Sequence, residues 1–440
     1  MVMEWYWAAA LMVGLVLALM ALGFPVAIAF LGANAVGVYL FMGGWVGMEQ
    51  LVGSASDSLS SFILVTVPLF IVMGNLFYHS GVAIRVFDAL DALFGRLPGR
   101  LCYVTVAGGT LFAALSGSAM ANGAMMGSLM VPEMIRRGYQ ARMAIGPIIG
   151  CAGLAILIPP SALGVLLGSL AQINVGALLI AGIMPGLVLA ILYAILIWMQ
   201  LKLDPSAAPA YDIVRKSAGE TALLVLRNIA PMGIVVFCVV GLIVLGIATP
   251  TEAAAFGVLG TLVVIAIFRR LSWDVISKSL KSSVNVTVMV FFILLGSFTF
   301  SQIFAFSGAT DGLIRWATGF DVAPMVIVCI MVLLLLVLGC FIDGISMILI
   351  TLPVFMPLVV KLGYDPIWFG VIMLVTIEMG AISPPFGLML YVMMGVSPPG
   401  TRFADVVRAG MPFFWCGLVL IVLMLFFPKI ALWLPALMGS

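Results

Sequence analysis

Four short clusters of small, polar and proline residues interrupt otherwise apolar stretches, and they hold the side chains that could do chemistry. Two resemble turns, at Ser116 to Ser118 and at Gly339 to Gly344, and two contain paired prolines, ILIPPSALG at 156–164 and AISPPFGLM at 381–389. A proline pair removes two N–H donors, so carbonyl oxygens are freed beside serine hydroxyls. Oxygen ligands suit a hard cation such as Na⁺ better than a soft metal, which would want His or Cys. The clusters therefore predict sodium sites.

The composition predicts an integral membrane protein. Of 440 residues, 64% are hydrophobic and 8% charged, whereas a soluble domain carries roughly 25% charged residues; the mean hydropathy is +1.31. The first apolar run, 5–22, has no basic residue before it and no small-residue cleavage site after it, so we expect a retained helix rather than a signal peptide. The net charge of +2 does not suggest a nucleic-acid partner, and the six cysteines lack CxxC spacing, which favours free thiols over a disulfide framework.

Breaks at hydrocarbon depth need a reason, because an unpaired backbone group there costs several kcal/mol. Such backbone is tolerated only where protein buries it or a ligand binds it. Helices that start after Ser118 and Asp343 would point their positive N-terminal ends at the midplane, where an anion can bind. The breaks therefore favour symport of Na⁺ with an anionic substrate.

Inserting an acidic residue into an apolar membrane segment costs free energy, so we expect each such residue to have a specific role. We expect Asp343 to cap a helix, with or without an influence on cation binding. Glu378 either binds a cation or proton or is a hydrogen-bonded structural carboxylate. We expect Glu252 to lie in the first turn of a helix that Thr249 caps. The only histidine, His79, is expected to have an interfacial role rather than to relay protons.

The topology follows from apolar length and loop charge. We predict two re-entrant hairpins, 101–135 and 322–360, with interfacial helices at 85–100 and 309–321. Sixteen of the 19 Lys and Arg residues then fall on one face, which the positive-inside rule makes cytoplasmic, with both termini periplasmic. The ten predicted crossings are 5–22, 25–42, 59–78, 143–172, 176–200, 229–247, 250–268, 284–306, 367–396 and 411–430.

An internal repeat is indicated by an offset of 225 residues, which aligns four proline pairs, Gly138-Tyr139 with Gly363-Tyr364, and the first interrupted stretch with the second. Each half has five crossings, an odd number, so the halves, 1–225 and 226–440, are expected to have inverted orientations. Inverted repeats with discontinuous helices are typical of secondary transporters whose site lies near the midplane. The absence of a GxxxxGK[ST] motif excludes a phosphate loop on this chain, so we expect ion coupling and no nucleotide.

At these residues the chain resembles the large membrane subunit (M or DctM-like) of the tripartite ATP-independent periplasmic (TRAP) transporters. The strings that carry the resemblance run in family order over almost the whole chain: LSGSAMAN with MVPEMIRRGY, ILIPPSALG, GIATPTEAAAFG, and FIDGISMILITLPVFMPLV with ISPPFGLMLYV. The resemblance implies an all-α, elevator-type fold related to that of the divalent anion/Na⁺ symporters, in a bacterial inner membrane. It also implies two partners, a small four-helix membrane subunit, expected as a separate chain, and a periplasmic binding protein.

The resemblance further implies two or more Na⁺ sites. Asn122 stands where many relatives have Asp, so a charge is missing there. The residues assigned to the first sodium and substrate site are Ser116, Gly117, Ser118, Asn122, Gly150, Gly153, Pro159, Pro160 and Ser161. Those assigned to the second are Gly339, Asp343, Gly344, Thr376, Glu378, Gly380, Ser383, Pro384 and Pro385.

Three functions compete on the sequence. The first is a TRAP subunit that takes up a carboxylate received from a binding protein, with C4-dicarboxylates as first candidates and sugar acids, keto acids and sulfonates left open. The second is a self-sufficient Na⁺/dicarboxylate symporter. The third is an intramembrane hydrolase using Ser116 or Asp343, which lacks a nearby histidine or second aspartate.

Overall fold

The secondary structure that the computed structural model describes is entirely helical. It describes residues 3–94, 97–209, 217–319, 322–385 and 387–437, so parts of both predicted interfacial arms (95–96 and 320–321) lie outside the described residues. The helices are α1 Trp5–Ala21, α2 Val26–Phe41, α3 Trp45–Leu59, α4 Thr66–Ser80, α5 Ala83–Phe94, α6 Arg100–Ser116, α7 Ala119–Arg136, α8 Ala141–Leu157, α9 Ala162–Leu170, α10 Val175–Ala181, α11 Ile183–Leu203, α12 Ala218–Asn228, α13 Ala230–Val236, α14 Leu242–Val244, α15 Pro250–Ile267, α16 Trp273–Phe306, α17 Ala309–Thr318, α18 Pro324–Gly339, α19 Gly344–Lys361, α20 Pro366–Ala381, α21 Leu388–Val396, α22 Phe403–Phe426 and α23 Lys429–Ala436.

Several of these helices can cross a bilayer. Within the described residues, 7 are long and apolar enough, or 8 if the pair α8 and α9, bent by 41°, counts as one span. Large apolar side chains such as Ile191, Leu259 and Val263 remain more than half exposed, as expected of surfaces that contact lipid tails rather than water. The chain is therefore a multi-pass membrane protein, while the count of ten crossings stays a prediction.

Three differences from the expected elements have local causes. α16 begins at Trp273 instead of 284, because Ser272 caps it by accepting a hydrogen bond from the Val275 N–H (3.3 Å). α12 lies inside the expected loop 201–228, started by a capping box of Ser217 and Glu220. α3 was not anticipated, since its sequence WVGMEQLVGSASDSL is too polar for a span.

Most of the helices pack in two groups, and α5 and α12, which pack on each other, contact α6 and α13 respectively. The flanking group contains α1–α4 and α13–α17, in which α4 packs on α15 and α16 packs on both α2 and α4. The hairpin group contains α6–α11 and α18–α23, with α8 at its centre against α6, α7, α20 and α22. The groups meet where α4 contacts α6 and α9 and where α16 and α17 contact α19. All four predicted breaks lie within the hairpin group.

The helix bounds in the two halves of the chain agree with the 225-residue offset. Shifted by that number, the bounds of α7 coincide with those of α19, and the bounds of α8 and α9 fall within one residue of those of α20 and α21. The opposite orientation of the two halves in the membrane stays a prediction.

Candidate functional site

The first predicted turn is formed as expected between α6 and α7. α6 ends at Ser116, and Gly117 follows with φ +60°, a left-handed conformation that glycine adopts without a Cβ penalty. Ser118 then caps α7, its hydroxyl accepting a hydrogen bond from the Ala121 N–H at 3.4 Å. The small residues therefore let the chain reverse direction within a few positions.

This turn lies against the first proline pair. A Cβ on Gly117 would be 2.9 Å from the Pro160 carbonyl oxygen, so only glycine permits this approach. On the other side, a Cβ on Gly74 of α4 would be 2.2 Å from the Ser116 carbonyl oxygen. The turn is thus enclosed between the break at 158–161 and a helix of the flanking group.

The second turn is built by an aspartate. Asp343 caps α19 by accepting hydrogen bonds from the N–H groups of Ile345 (3.0 Å) and Ser346 (3.2 Å), and the Ser346 hydroxyl donates to the same carboxylate. The predicted capping role of Asp343 is confirmed by these bonds. Its negative charge faces the positive end of α19.

Glycines bring this second turn onto α20. A Cβ on Gly339 would lie 2.8 Å from the Gly380 Cα, so the two backbones touch directly. A Cβ on Gly344 would be 2.4 Å from Ile377 of α20 and 3.8 Å from Leu163 of α9. The second turn therefore lies beside the helix that carries the second break and also reaches the helix after the first break.

Glu378 lies apart from the second turn. The residue is 2% exposed, and its side chain fills a notch at Gly153 of α8, where a Cβ would be only 2.2 Å from the Glu378 Cγ. Tyr193 of α11 donates a hydrogen bond to Oε1 at 2.9 Å. Gly380 faces the turn while Glu378, two residues earlier, faces α8 and α11, as expected on a helix. Sequence reasoning missed Tyr193, whose only signal was a lone hydroxyl in an apolar run.

The other predicted residues divide between hydroxyl donors and packing positions. Thr376, Ser383 and Ser161 are buried, and each donates its hydroxyl hydrogen to a backbone carbonyl, of Ile372, Met379 and Ile156 respectively, at 2.6–2.7 Å. A hydroxyl that donates in this way still presents oxygen lone pairs to a cation. Gly150 instead faces Phe413 of α22, 2.4 Å from where its Cβ would be.

Three buried oxygens at the site have no hydrogen-bond partner among the described residues. They are Ser116 Oγ, Asn122 Oδ1 and Glu378 Oε2. Asn122 is fully buried, and its amide donates to the Gly109 carbonyl at 3.4 Å. Buried polar atoms are nearly always paired, so orphaned oxygens mark positions where a cation or water can bind. Oxygen donors fit Na⁺, and in the described ranges no three His, Cys, Asp or Glu residues converge as a metal cluster.

The two halves of the chain interlock around these turns. α7 of the first half packs on α21 of the second, where a Cβ on Gly123 would lie 2.5 Å from the Met389 sulfur. α19 of the second half contacts α9 of the first, and α8 contacts α20. Two hairpins and two broken helices thus form one continuous assembly.

A polytopic helical membrane protein with two helical hairpins packed against two proline-broken helices has the architecture of a secondary transporter rather than of a soluble enzyme. The family model described as "Tripartite ATP-independent periplasmic transporter, DctM component" matches residues 13–430, and the chain belongs to that family.

Named relatives agree with this assignment. The C4-dicarboxylate TRAP transporter large permease protein DctM of Rhodobacter capsulatus is 31% identical over 447 residues, covering 98% of this chain and 100% of that protein. The ectoine TRAP transporter large permease protein TeaC of Halomonas elongata is 31% identical over 428 residues, covering 96% and 98%. The YdaH transporter of Alcanivorax borkumensis has a similar fold, with a TM-score of 0.64 at 13% identity over 87% of this chain and 88% of that structure.

Proposed function

We propose that this chain is the membrane-spanning permease that couples Na⁺ entry to uptake of an organic carboxylate delivered by a periplasmic binding protein. The observation that carries the proposal is the packing of each hairpin turn on a helix that a proline pair breaks, with the orphaned oxygens of Ser116 and Asn122 at the first hairpin. In this proposal, oxygen ligands and helix N-terminal ends act together on the ions and the substrate.

At least two Na⁺ ions bind in the proposal, one beside each turn. Ser116, Asn122 and the carbonyl groups of 158–161 supply oxygens to the first. Asp343, Thr376 and Ser383 supply oxygens to the second. Na⁺ in these positions adds positive charge beside the N-terminal ends of α7 and α19, which favours a bound carboxylate.

A C4-dicarboxylate is the first substrate to test, since one relative is named for that substrate. Another relative is named for ectoine. The binding protein sets most of the specificity in this proposal. A small four-helix subunit completes the transporter in the bacterial inner membrane. The face with Arg315, Lys361 and Lys429 is periplasmic, as are both termini.

Transport in the proposal follows an elevator mechanism. The hairpin group moves as the transporting body and the flanking group is the fixed scaffold, each built from both inverted halves. Support comes from the packing of most helices in two groups, which meet at one point where Gly74 of α4 approaches the Ser116 carbonyl group. Small residues at such a surface let two helix backbones approach closely.

Reconstitution tests the function. Proteoliposomes are prepared with this chain alone, with the small subunit, and with both partners, and uptake of radiolabelled succinate is measured with and without an inward Na⁺ gradient. The binding protein is first screened by ligand-shift melting, and the identified ligand replaces succinate if they differ. We expect uptake only with all three components and an inward Na⁺ gradient.

Other outcomes are decisive. Uptake by this chain alone would establish the self-sufficient symporter instead. Full uptake by the three-component system in choline medium without Na⁺ would reject sodium coupling.

A further inference from the structure

A cleft of about 410 Å³ lies between the flanking group and the second hairpin, away from the turns. Asp311, Ile314 and Arg315 of α17 form one wall, and Pro357, Val360 and Lys361 of α19 form the other. α17 packs on α1 and α16, so the cleft marks the seam between the two groups.

The two cations of this cleft lack an acidic partner in the described parts of the chain. No carboxylate lies within 4.0 Å of Arg315 or Lys361, although Asp311 is on the same wall. Both side chains are exposed. They are two of the three basic residues that the topology assigns to the periplasmic face, with Lys429 as the third.

The corresponding end of the first hairpin is arranged differently. There Arg136, which aligns with Lys361 at the 225-residue offset, is bound to Glu133 by two hydrogen bonds of 2.9 Å. The position that aligns with Glu133 is Leu358, which is 5% exposed. The first hairpin therefore neutralises its terminal cation internally, and the second leaves its cation available.

We infer that Arg315 and Lys361 form a docking point for an acidic side chain of the periplasmic binding protein; the inference rests on the proposed function. Ile314, Pro357 and the 60% exposed Val360 add an apolar surface to the same cleft. A small free acid would stay hydrated beside two exposed cations, and such pairs contribute little singly. A protein surface adds contacts around them, and its negative charge is steered to the cations before contact. Contact at the seam also places the binding protein on both groups at once.

The test measures initial uptake by the complete transporter in proteoliposomes against the external concentration of loaded binding protein. Arg315→Gln with Lys361→Gln is expected to raise the half-saturating concentration roughly threefold to thirtyfold, with the maximal rate unchanged. Raising salt from about 50 to about 300 mM should weaken the wild-type interaction and leave the double variant nearly unaffected. Lys429→Gln is the matched control, because it removes the third periplasmic cation outside the cleft, and Arg315→Lys with Lys361→Arg should restore wild-type behaviour.

An unchanged half-saturating concentration in the double glutamine variant would overturn the docking point. A lower maximal rate at an unchanged half-saturating concentration would overturn it too, since the residues would then act in folding or movement, as cations in the last turns of α17 and α19 can through the helix dipole. Wild-type uptake that does not depend on the binding protein would reject the proposed function itself.

Discussion

Tyr193 gives the buried carboxyl of Glu378 its one hydrogen bond among the described residues, at 2.9 Å. Tyr193→Phe keeps the ring, which packs on Phe413, but leaves both carboxyl oxygens without a partner. A buried group that loses its partner costs about 1–3 kcal/mol, so the melting temperature in detergent should fall. Tyr39→Phe, at a 72% exposed ring, is the control and should melt like wild type. Equal melting of all three proteins would show that the bond adds no stability.

The lack of a side chain at Gly153 leaves room for the same carboxyl group. In Gly153→Ala the new Cβ would be 2.2–2.4 Å from three atoms of Glu378, too close for any side chain, so we expect a loss of about 1–3 kcal/mol from overpacking. Gly14→Ala, on a face of α1 with nothing within 4 Å, should be neutral or stabilise by up to about 1 kcal/mol.

A double-mutant cycle identifies the cause of the Gly153 effect. Adding Glu378→Ala removes the clashing atoms, so the two losses should be clearly non-additive in melting experiments. Strict additivity would mean that Gly153 acts through something other than the Glu378 side chain.

At the scale of elements, the two hairpin turns are capped with unequal strength. Asp343 accepts two backbone hydrogen bonds at 3.0 and 3.2 Å, whereas Ser118 accepts one at 3.4 Å. Asp343→Ala should therefore cost more stability than Ser118→Ala, within the range of about 0.5–2 kcal/mol typical of caps.

Asp343→Asn keeps the cap without the charge, and should melt near wild type. If the charge assists Na⁺, this variant will need a higher Na⁺ concentration for half-maximal uptake; an unchanged Na⁺ dependence would leave Asp343 as a cap alone.

Helix breaks could be predicted from sequence because their causes are local. Paired prolines and Gly117 or Asp343 fix the backbone within a few residues, and the structure ends or starts helices at each of these places. α12 also had a local signal in its capping box, which was outweighed by the polar composition of the loop around it. The pairing of Tyr193 with Glu378 joins residues 185 positions apart, and nothing in the neighbourhood of either residue encodes it. The same holds for Gly150, whose partner Phe413 belongs to a distant helix.

At the scale of the whole molecule, the interlocking of the halves implies that both hairpins move together. α7 is packed on α21 and α19 on α9, and α8 joins α20, so one hairpin cannot shift without the rest of the hairpin group.

The proposed elevator then predicts that distances within the group stay constant during transport while distances to the flanking group change by several ångströms. Spin labels at Lys361 of α19 and Ile247, which follows α14, measure the second kind of distance, and labels at Lys361 and Lys429 of α23 measure the first. The labels are attached in a background without the six native cysteines, and the distances are measured by electron–electron double resonance. The distance between labels 361 and 247 should differ between a sample with Na⁺ and substrate and a sample in choline alone. The distance between labels 361 and 429 should be the same in both samples. Constant distances for both pairs would contradict rigid-body movement, and a change in the 361/429 pair would show that the hairpin group itself deforms.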